Sequence, residues 1–150
     1  RGREFVTRKI SESVAKLKLG LQDELLLGNL DAKRDWGYAP EYVEAMWRML
    51  QQDQPSDNVI GTGEHHSPAE FVKIAFDQVG LDPPDFVRVD PDLLRPAEVD
   101  TLLADPTKAR EELGWTARTG FEELVRIMVE ADLEAQETAS GRRRDGPGSR

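Results

Sequence analysis

One stretch of the chain, residues 29–38, carries most of the side chains suited to binding chemistry. It contains an asparagine, two acids, two cations and two aromatic residues, between an apolar run at Leu25–Leu27 and a proline, Pro40, suited to a helix start. Loops held between rigid elements are common ligand sites, and a guanidinium such as that of Arg34 can donate to two phosphate oxygens at once. The pattern predicts either an anion-binding loop or a salt-bridged loop anchored by Trp36, and both readings stay open here.

The remaining side chains with catalytic or metal-binding potential form no recognisable site. No Gly-x-x-Gly-x-x-Gly turn follows a predicted strand, so no helix start is set up for a dinucleotide pyrophosphate. No Tyr-x-x-x-Lys pair occurs, since Tyr38 is followed four positions later by Tyr42, and Tyr42 by Met46. His65 and His66 are adjacent, so their side chains diverge, and no third ligand is evident. We therefore predict no catalytic residue and no metal site in this chain.

The composition is that of one acidic globular domain. The 150 residues carry a formal net charge of −9 and no cysteine, which excludes disulfides and thiolate catalysis. The basic triplet Arg142–Arg144 is too short for a nucleic-acid patch, and no apolar run approaches the ~20 residues of a membrane span. We expect a soluble, cytoplasmic protein that binds neither nucleic acid nor membrane. Because the chain opens at Arg1 and its first methionine is Met46, we also expect it to be part of a longer protein.

Apolar spacing predicts helices separated by short strands, which gives an α/β chain that is mainly helical. Capping boxes and glycines supply several of the helix boundaries. The first predicted helix starts at Val6 and ends at Gly20, and the second starts at Pro40 with Val43, Met46, Trp47 and Leu50 facing inward. The third runs from Ser67 to Val79, and a short fourth helix follows Asp105-Pro106. The last begins with a capping box at Thr119. The predicted strands are Leu25–Leu27, Asn58–Gly61 and Phe86–Val89.

The end of the chain lacks this pattern. From Glu134 onward the apolar period disappears, and residues 142–150 are Gly, Pro, Ser, Arg and Asp only. The sequence predicts one domain over residues 1–133 and a disordered tail over residues 134–150.

Several strings in the chain closely resemble the GDP-mannose 4,6-dehydratase family. The most particular are Val-Thr-Arg-Lys-Ile at residues 6–10 and Gly-Asn-Leu-Asp-Ala-Lys-Arg-Asp-Trp-Gly at residues 28–37. The likeness continues through Glu-Tyr-Val-Glu-Ala-Met-Trp at residues 41–47 and Arg-Pro-Ala-Glu-Val at residues 95–99. Asp-Pro-Thr-Lys at residues 105–108 resembles extended short-chain dehydrogenases in general.

The resemblance implies the C-terminal, substrate-binding part of an extended short-chain dehydrogenase, without its Rossmann half. In that family the N-terminal half holds NADP and supplies the catalytic Thr, Glu, Tyr and Lys, while the C-terminal half binds the GDP-sugar. The reaction converts GDP-mannose to GDP-4-dehydro-6-deoxy-mannose, a precursor of fucose- and rhamnose-type sugars. The expected partners are GDP-mannose and the missing half, and a homo-oligomer is expected only for the intact enzyme.

The same resemblance implies a set of binding residues. Arg34 and Arg95 would contact the diphosphate, Glu98 the ribose or guanine, and Arg1 the NADP held mainly by the other half. Lys9 as a solvated lysine and Arg95 as a turn cap are the simpler alternatives. The substrate-binding set is Val6, Lys9, Gly28, Asn29, Arg34, Arg95 and Glu98.

Three functions remain open at this point. The chain is an inactive half of a dehydratase, a stand-alone module that binds a GDP-sugar or a partner, or a non-functional fragment. We further expect apolar surface at Phe5, Val6 and Leu25–Leu27 to pack on the missing half.

Overall fold

The computed structural model of the chain describes residues 2, 4–94 and 97–144. About half of the chain is helical and the strands are short and parallel, so the predicted α/β class is confirmed. The helices are α1 Val6–Lys18, α2 Ala39–Met49, α3 Pro68–Val79, α4 Pro83–Phe86, α5 Thr107–Leu113 and α6 Phe121–Arg144. The strands are β1 Leu25–Leu27, β2 Lys33–Arg34, β3 Val87–Val89 and β4 Thr101–Leu102, with a 3-10 turn at Pro91–Leu93.

The main core lies where α1, α3 and α6 pack against one another and against β1. The predicted spacing on α1 is confirmed, because Ile10, Val14 and Leu17 are all buried there. Leu25 and Leu27 are buried in the same core. Our expectation that these two residues would pack on a missing half was therefore wrong. Alternate residues of a strand face opposite sides, and only Leu26 of β1 points outward.

The predicted ends of α1 and α3 are confirmed by their hydrogen bonds. Gly20 adopts a φ of 67°, and the N–H of Leu21 reaches back to the carbonyl of Lys16 at 2.8 Å, which closes a Schellman motif. Ser67 and Glu70 form the capping box at the start of α3 through reciprocal side-chain to backbone bonds.

The four strands form two separate parallel pairs, β1 with β3 and β2 with β4. β1 lies in register with β3 from Leu25↔Val87 to Leu27↔Val89. The predicted strand at residues 58–61 does not form: it pairs with no other strand in the described part of the chain.

α2 packs differently from its prediction. Its buried residues are Glu41 and Ala45, and it lies on a second small cluster with α5 and Trp115. The positions predicted to face inward are instead exposed, because no described element covers that side of the helix; they are Val43, Met46, Trp47 and Leu50. The capping box predicted at Thr119 is also wrong, because α6 begins at Phe121 and the N–H of Leu124 donates to the carbonyl of Gly120, which places Gly120 at the N-cap. The Thr119 hydroxyl instead donates to the carboxylate of Glu41 at 2.8 Å.

α6 continues to Arg144, so residues 134–144 are helical and not the disordered tail that we predicted. Ala, Glu and Gln in this stretch are good helix formers, and a helix already fixed by packing extends at little further cost. Residues 145–150 of the predicted tail lie outside the described residues. None of the helices that the structure describes is both long and apolar enough to span a bilayer.

Candidate functional site

Arg34 lies between two other backbone segments. β2 pairs in parallel with β4, where Arg34 is opposite Leu102. On the other side, the backbone N–H and carbonyl of Arg34 exchange hydrogen bonds with His66 at N···O distances of 3.0 and 2.9 Å. The guanidinium donates to the carbonyl of Lys33 at 2.7 Å. Because backbone and side chain are both anchored, Arg34 presents its remaining N–H groups from a fixed position.

Asn29 shapes the loop that leads from β1 to β2. Its Oδ1 accepts hydrogen bonds from the N–H groups of Asp31 and Ala32, at 2.8 and 3.2 Å, which makes an Asx turn. Its Nδ2 donates to Oε2 of Glu98 at 2.9 Å. One side chain therefore fixes the loop locally and ties it to a distant segment.

Glu98 completes what we call the Asn29–Glu98–Arg34 cluster. Its second oxygen, Oε1, lies 3.3 Å from Nη2 of Arg34, and the two side chains are 23% and 24% exposed. This contact is longer than the roughly 2.7–2.9 Å of a strong charge-assisted hydrogen bond. The guanidinium could therefore bind an incoming anion without first breaking a strong hydrogen bond.

Gly28 is needed for a close backbone contact. A Cβ at this position would lie 2.5 Å from the carbonyl oxygen of Leu93. The N–H of Asp90 donates to the carbonyl of Leu27 at 2.8 Å, which fixes the loop against β1. The space beside Gly28 is thus taken by the loop that leads towards Glu98, and a ligand contact of Gly28 stays a prediction.

Apart from Gly28, the predicted binding residues fall into three groups by their position in the structure. The structure brings together the Asn29–Glu98–Arg34 cluster. Val6 packs against the main core, and Lys9 is half-buried on the same helix. Arg1 and Arg95 lie outside the described residues.

His66 is a neighbour of the site that the sequence did not indicate. Besides pairing with Arg34, it stacks its ring on Phe121, with centroids 3.8 Å apart and 2° between the planes. The carboxylates of Glu64 and Glu70 lie 3.7 and 3.6 Å from its ring nitrogens. A hollow of about 230 Å³ opens beside this stack. Two adjacent histidines suggest only metal ligation, and no local pattern indicates a stack with a residue on α6.

Comparison with known proteins gives the family. The sequence model of the family described as GDP-mannose 4,6 dehydratase matches residues 1–128. The chain belongs to the GDP-mannose 4,6-dehydratase family. GDP-mannose 4,6 dehydratase 2 of Arabidopsis thaliana is 53% identical over 134 residues, which are 89% of this chain and 36% of that protein. The human GDP-mannose 4,6 dehydratase is 50% identical over an alignment of 155 positions, gaps included, which covers 92% of this chain and 42% of that protein. The chain thus spans about two fifths of the length of these relatives.

Solved structures agree with this family at the level of fold. The structure of RMD from Pseudomonas aeruginosa complexed with NADPH superposes with a TM-score of 0.80 at 20% identity, over 91% of this chain and 44% of that one. The chain therefore has the fold of the matching part of that structure, which confirms the predicted fold class.

Proposed function

We propose that this chain is the GDP-sugar-binding portion of an enzyme that converts GDP-mannose to GDP-4-dehydro-6-deoxy-mannose. The observation that supports the proposal best is the Asn29–Glu98–Arg34 cluster, which joins two loops far apart in sequence in a chain of this family. A cation held at the end of a short strand and partly shielded from water suits a diphosphate.

Each residue of the cluster has a separate task in this proposal. Arg34 exchanges its contact with Glu98 for oxygens of the diphosphate. The freed carboxylate of Glu98 then accepts hydrogen bonds from the ribose hydroxyls or the guanine edge. Asn29 keeps both loops in place, since its amide group bonds to each of them. Arg95, Lys9 and Val6 complete the site.

The chemical steps belong to other residues. None of the four strands in the described residues leads through a glycine-rich turn into a helix, so these residues do not fit a dinucleotide. We therefore assign NADP, and the catalytic residues that act with it, to a Rossmann half that this chain does not contain. The task of this chain is to bind and orient the nucleotide-sugar, in the cytoplasm.

A stand-alone binding module is the second candidate. The main core is closed by residues of this chain alone; α3 is capped at both ends, and α1 is capped at its C-terminal end. Such a chain has the means to fold and bind without further parts.

Kinetics of a chimera test the first candidate. In it, this chain replaces the matched stretch of the Arabidopsis relative. We expect Arg34→Gln to raise KM for GDP-mannose at least ~10-fold, since a charge-assisted contact is worth roughly 1.5–3 kcal/mol. Lys33→Gln removes the same charge from the exposed neighbouring position and should leave KM unchanged. Equal effects of the two variants would contradict the proposed role of Arg34.

A further inference from the structure

Asp35 directly follows Arg34 in the chain, but the two side chains have separate partners. The Arg34 guanidinium lies against the carboxylate of Glu98, whereas the Asp35 carboxylate accepts hydrogen bonds from Thr62 and Gly63. Successive residues of an extended chain face opposite sides. In the described part of the chain no salt bridge joins Asp35 to a cation. The acid nearest to Arg34 in sequence therefore does not neutralise it.

Two successive backbone N–H groups bind the Asp35 carboxylate. The N–H of Thr62 lies 2.9 and 3.1 Å from the two oxygens, and the N–H of Gly63 lies 3.0 Å from Oδ2. Gly63 has a φ of 80°, a left-handed conformation that glycine adopts without strain. Successive N–H groups that converge in such a turn form a nest for an anion. The Thr62 hydroxyl adds a donor at 2.8 Å, so the protein fills this nest with its own side chain.

The segment from Thr62 to His66 is also the one that pairs with the backbone of Arg34. The Thr62 hydroxyl accepts a hydrogen bond from the N–H of Glu64 at 3.1 Å, which carries the attachment further along the segment. His66 then exchanges both of its backbone hydrogen bonds with Arg34. The segment is thus fixed to the end of β2 twice, by the side chain of Asp35 and by the backbone of Arg34.

This arrangement separates two effects of an acid next to a binding arginine. A free carboxylate beside Arg34 would compete for the guanidinium and repel a negatively charged ligand. In the structure the charge of Asp35 is instead held by neutral donors on another segment. The acid contributes its hydrogen bonds to the backbone around Arg34, and the guanidinium stays available.

We propose that Asp35 is a positioning residue for diphosphate binding. By filling the nest of Thr62 and Gly63, it holds the segment against which the Arg34 backbone is fixed, and it keeps its own charge away from the guanidinium. Asp35 does not touch the ligand and acts only through Arg34. The inference rests on the proposed function, because it requires Arg34 to bind the diphosphate.

The test measures KM for GDP-mannose, kcat and Tm in the chimera built on the Arabidopsis relative. Asp35→Asn keeps the size of the side chain but replaces one acceptor oxygen by an amide N–H₂ group, which cannot accept from the nest. We expect KM to rise about 5-fold while kcat changes less than about 2-fold. In the Arg34→Gln background, Asp35→Asn should raise KM no further, because its effect passes through Arg34.

Glu41→Gln is the matched control for a purely structural role. The Glu41 carboxylate accepts from the same kinds of donor as Asp35, two backbone N–H groups and a threonine hydroxyl. It lies between α2 and the start of α6 and contacts no residue of the Asn29–Glu98–Arg34 cluster in the described structure. Glu41→Gln should lower Tm as Asp35→Asn does, but leave KM unchanged.

A milder pair of variants tests the same nest if Asp35→Asn does not fold. Thr62→Val removes only the hydroxyl and should raise KM about 2–3-fold, whereas Thr62→Ser keeps the hydroxyl and should restore the KM of the wild type. Equal KM values for these two variants would overturn the proposal.

The kinetic results distinguish this inference from the proposed function. If Arg34→Gln raises KM but Asp35→Asn lowers only Tm, Asp35 is structural and the positioning role is wrong. The same holds if the two substitutions raise KM independently, since Asp35 then does not act through Arg34. If Arg34→Gln leaves KM unchanged, the proposed function fails, and the positioning role fails with it.

Discussion

Glu41 joins α2 to the start of α6, and its removal should be costly. Its buried carboxylate accepts hydrogen bonds from the N–H groups of Arg118 and Thr119, at 3.0 and 3.4 Å, and from the Thr119 hydroxyl at 2.8 Å. Glu41→Ala leaves these donors without their acceptor. At about 0.5–1.5 kcal/mol for each of these three part-buried hydrogen bonds, the free energy of unfolding should fall by roughly 2–4 kcal/mol.

Urea denaturation followed by circular dichroism measures this loss, with Glu44→Ala as the control. Glu44 is on the same helix and pairs with Arg48 and Arg118, but it is solvated, so its removal should change stability much less. If Glu41→Ala and Glu44→Ala have the same midpoint and slope, the argument from the hydrogen bonds of Glu41 is wrong.

The pH dependence gives a second test of Glu41. Burial acts to raise the pKa of this carboxyl, but the hydrogen bonds from Arg118 and Thr119 outweigh it and hold the pKa below its ordinary value of 4.5. Its contribution to stability is therefore present above pH 4.5 and is lost as the pH falls through the lower folded-state pKa. The stability gap between wild type and Glu41→Gln should shrink below pH 4.5. A gap that stays constant down to the acid transition would contradict this reasoning.

Three further changes probe the packing around the site and core. Gly28→Ala places a Cβ 2.5 Å from the Leu93 carbonyl oxygen, and urea denaturation should show a loss of about 1–3 kcal/mol; an unchanged midpoint would mean that the loop moves freely. Ser11→Ala removes the 2.6 Å hydrogen bond to buried Asp132 and should also cost about 1–3 kcal/mol, measured against the exposed Ser56→Ala as control. Burial raises the pKa of Asp132 above its ordinary 3.8. The contribution of Asp132 to the free energy of unfolding is therefore full below pH 3.8 and is lost as the pH rises through the folded-state pKa. Over that pH range Asp132→Asn should gain stability relative to wild type. A stability difference between the two proteins that does not change with pH would refute this reasoning.

Local patterns predicted much of the helical framework. The spacing of Ile10 and Val14 predicted the buried side of α1, and the pair Ser67 and Glu70 predicted the start of α3. These signals involve residues only a few positions apart, so they can be read from the sequence without knowledge of the fold.

The failures concern contacts between distant parts of the chain. The stripe on α2 shows that one side is apolar, but it does not say whether this chain supplies the cover. Thr119 carries the signature of a capping box, yet α6 begins two residues later, at Phe121, and the Thr119 hydroxyl donates to Glu41 on another helix. Likewise, the resemblance named Arg34 and Glu98 separately, and only the pairing of β2 with β4 shows why they meet.

The most direct test of the central claim is a titration of the isotopically labelled chain with GDP, followed amide by amide in ¹H–¹⁵N NMR spectra. Binding at the proposed site predicts saturable shifts centred on Asn29, Arg34 and Glu98, which disappear in Arg34→Gln and persist in Lys33→Gln. Shifts that are centred elsewhere, or equally strong in Arg34→Gln, would contradict the assignment of the diphosphate to Arg34. So would the absence of any shift in the isolated chain and in the chimera alike.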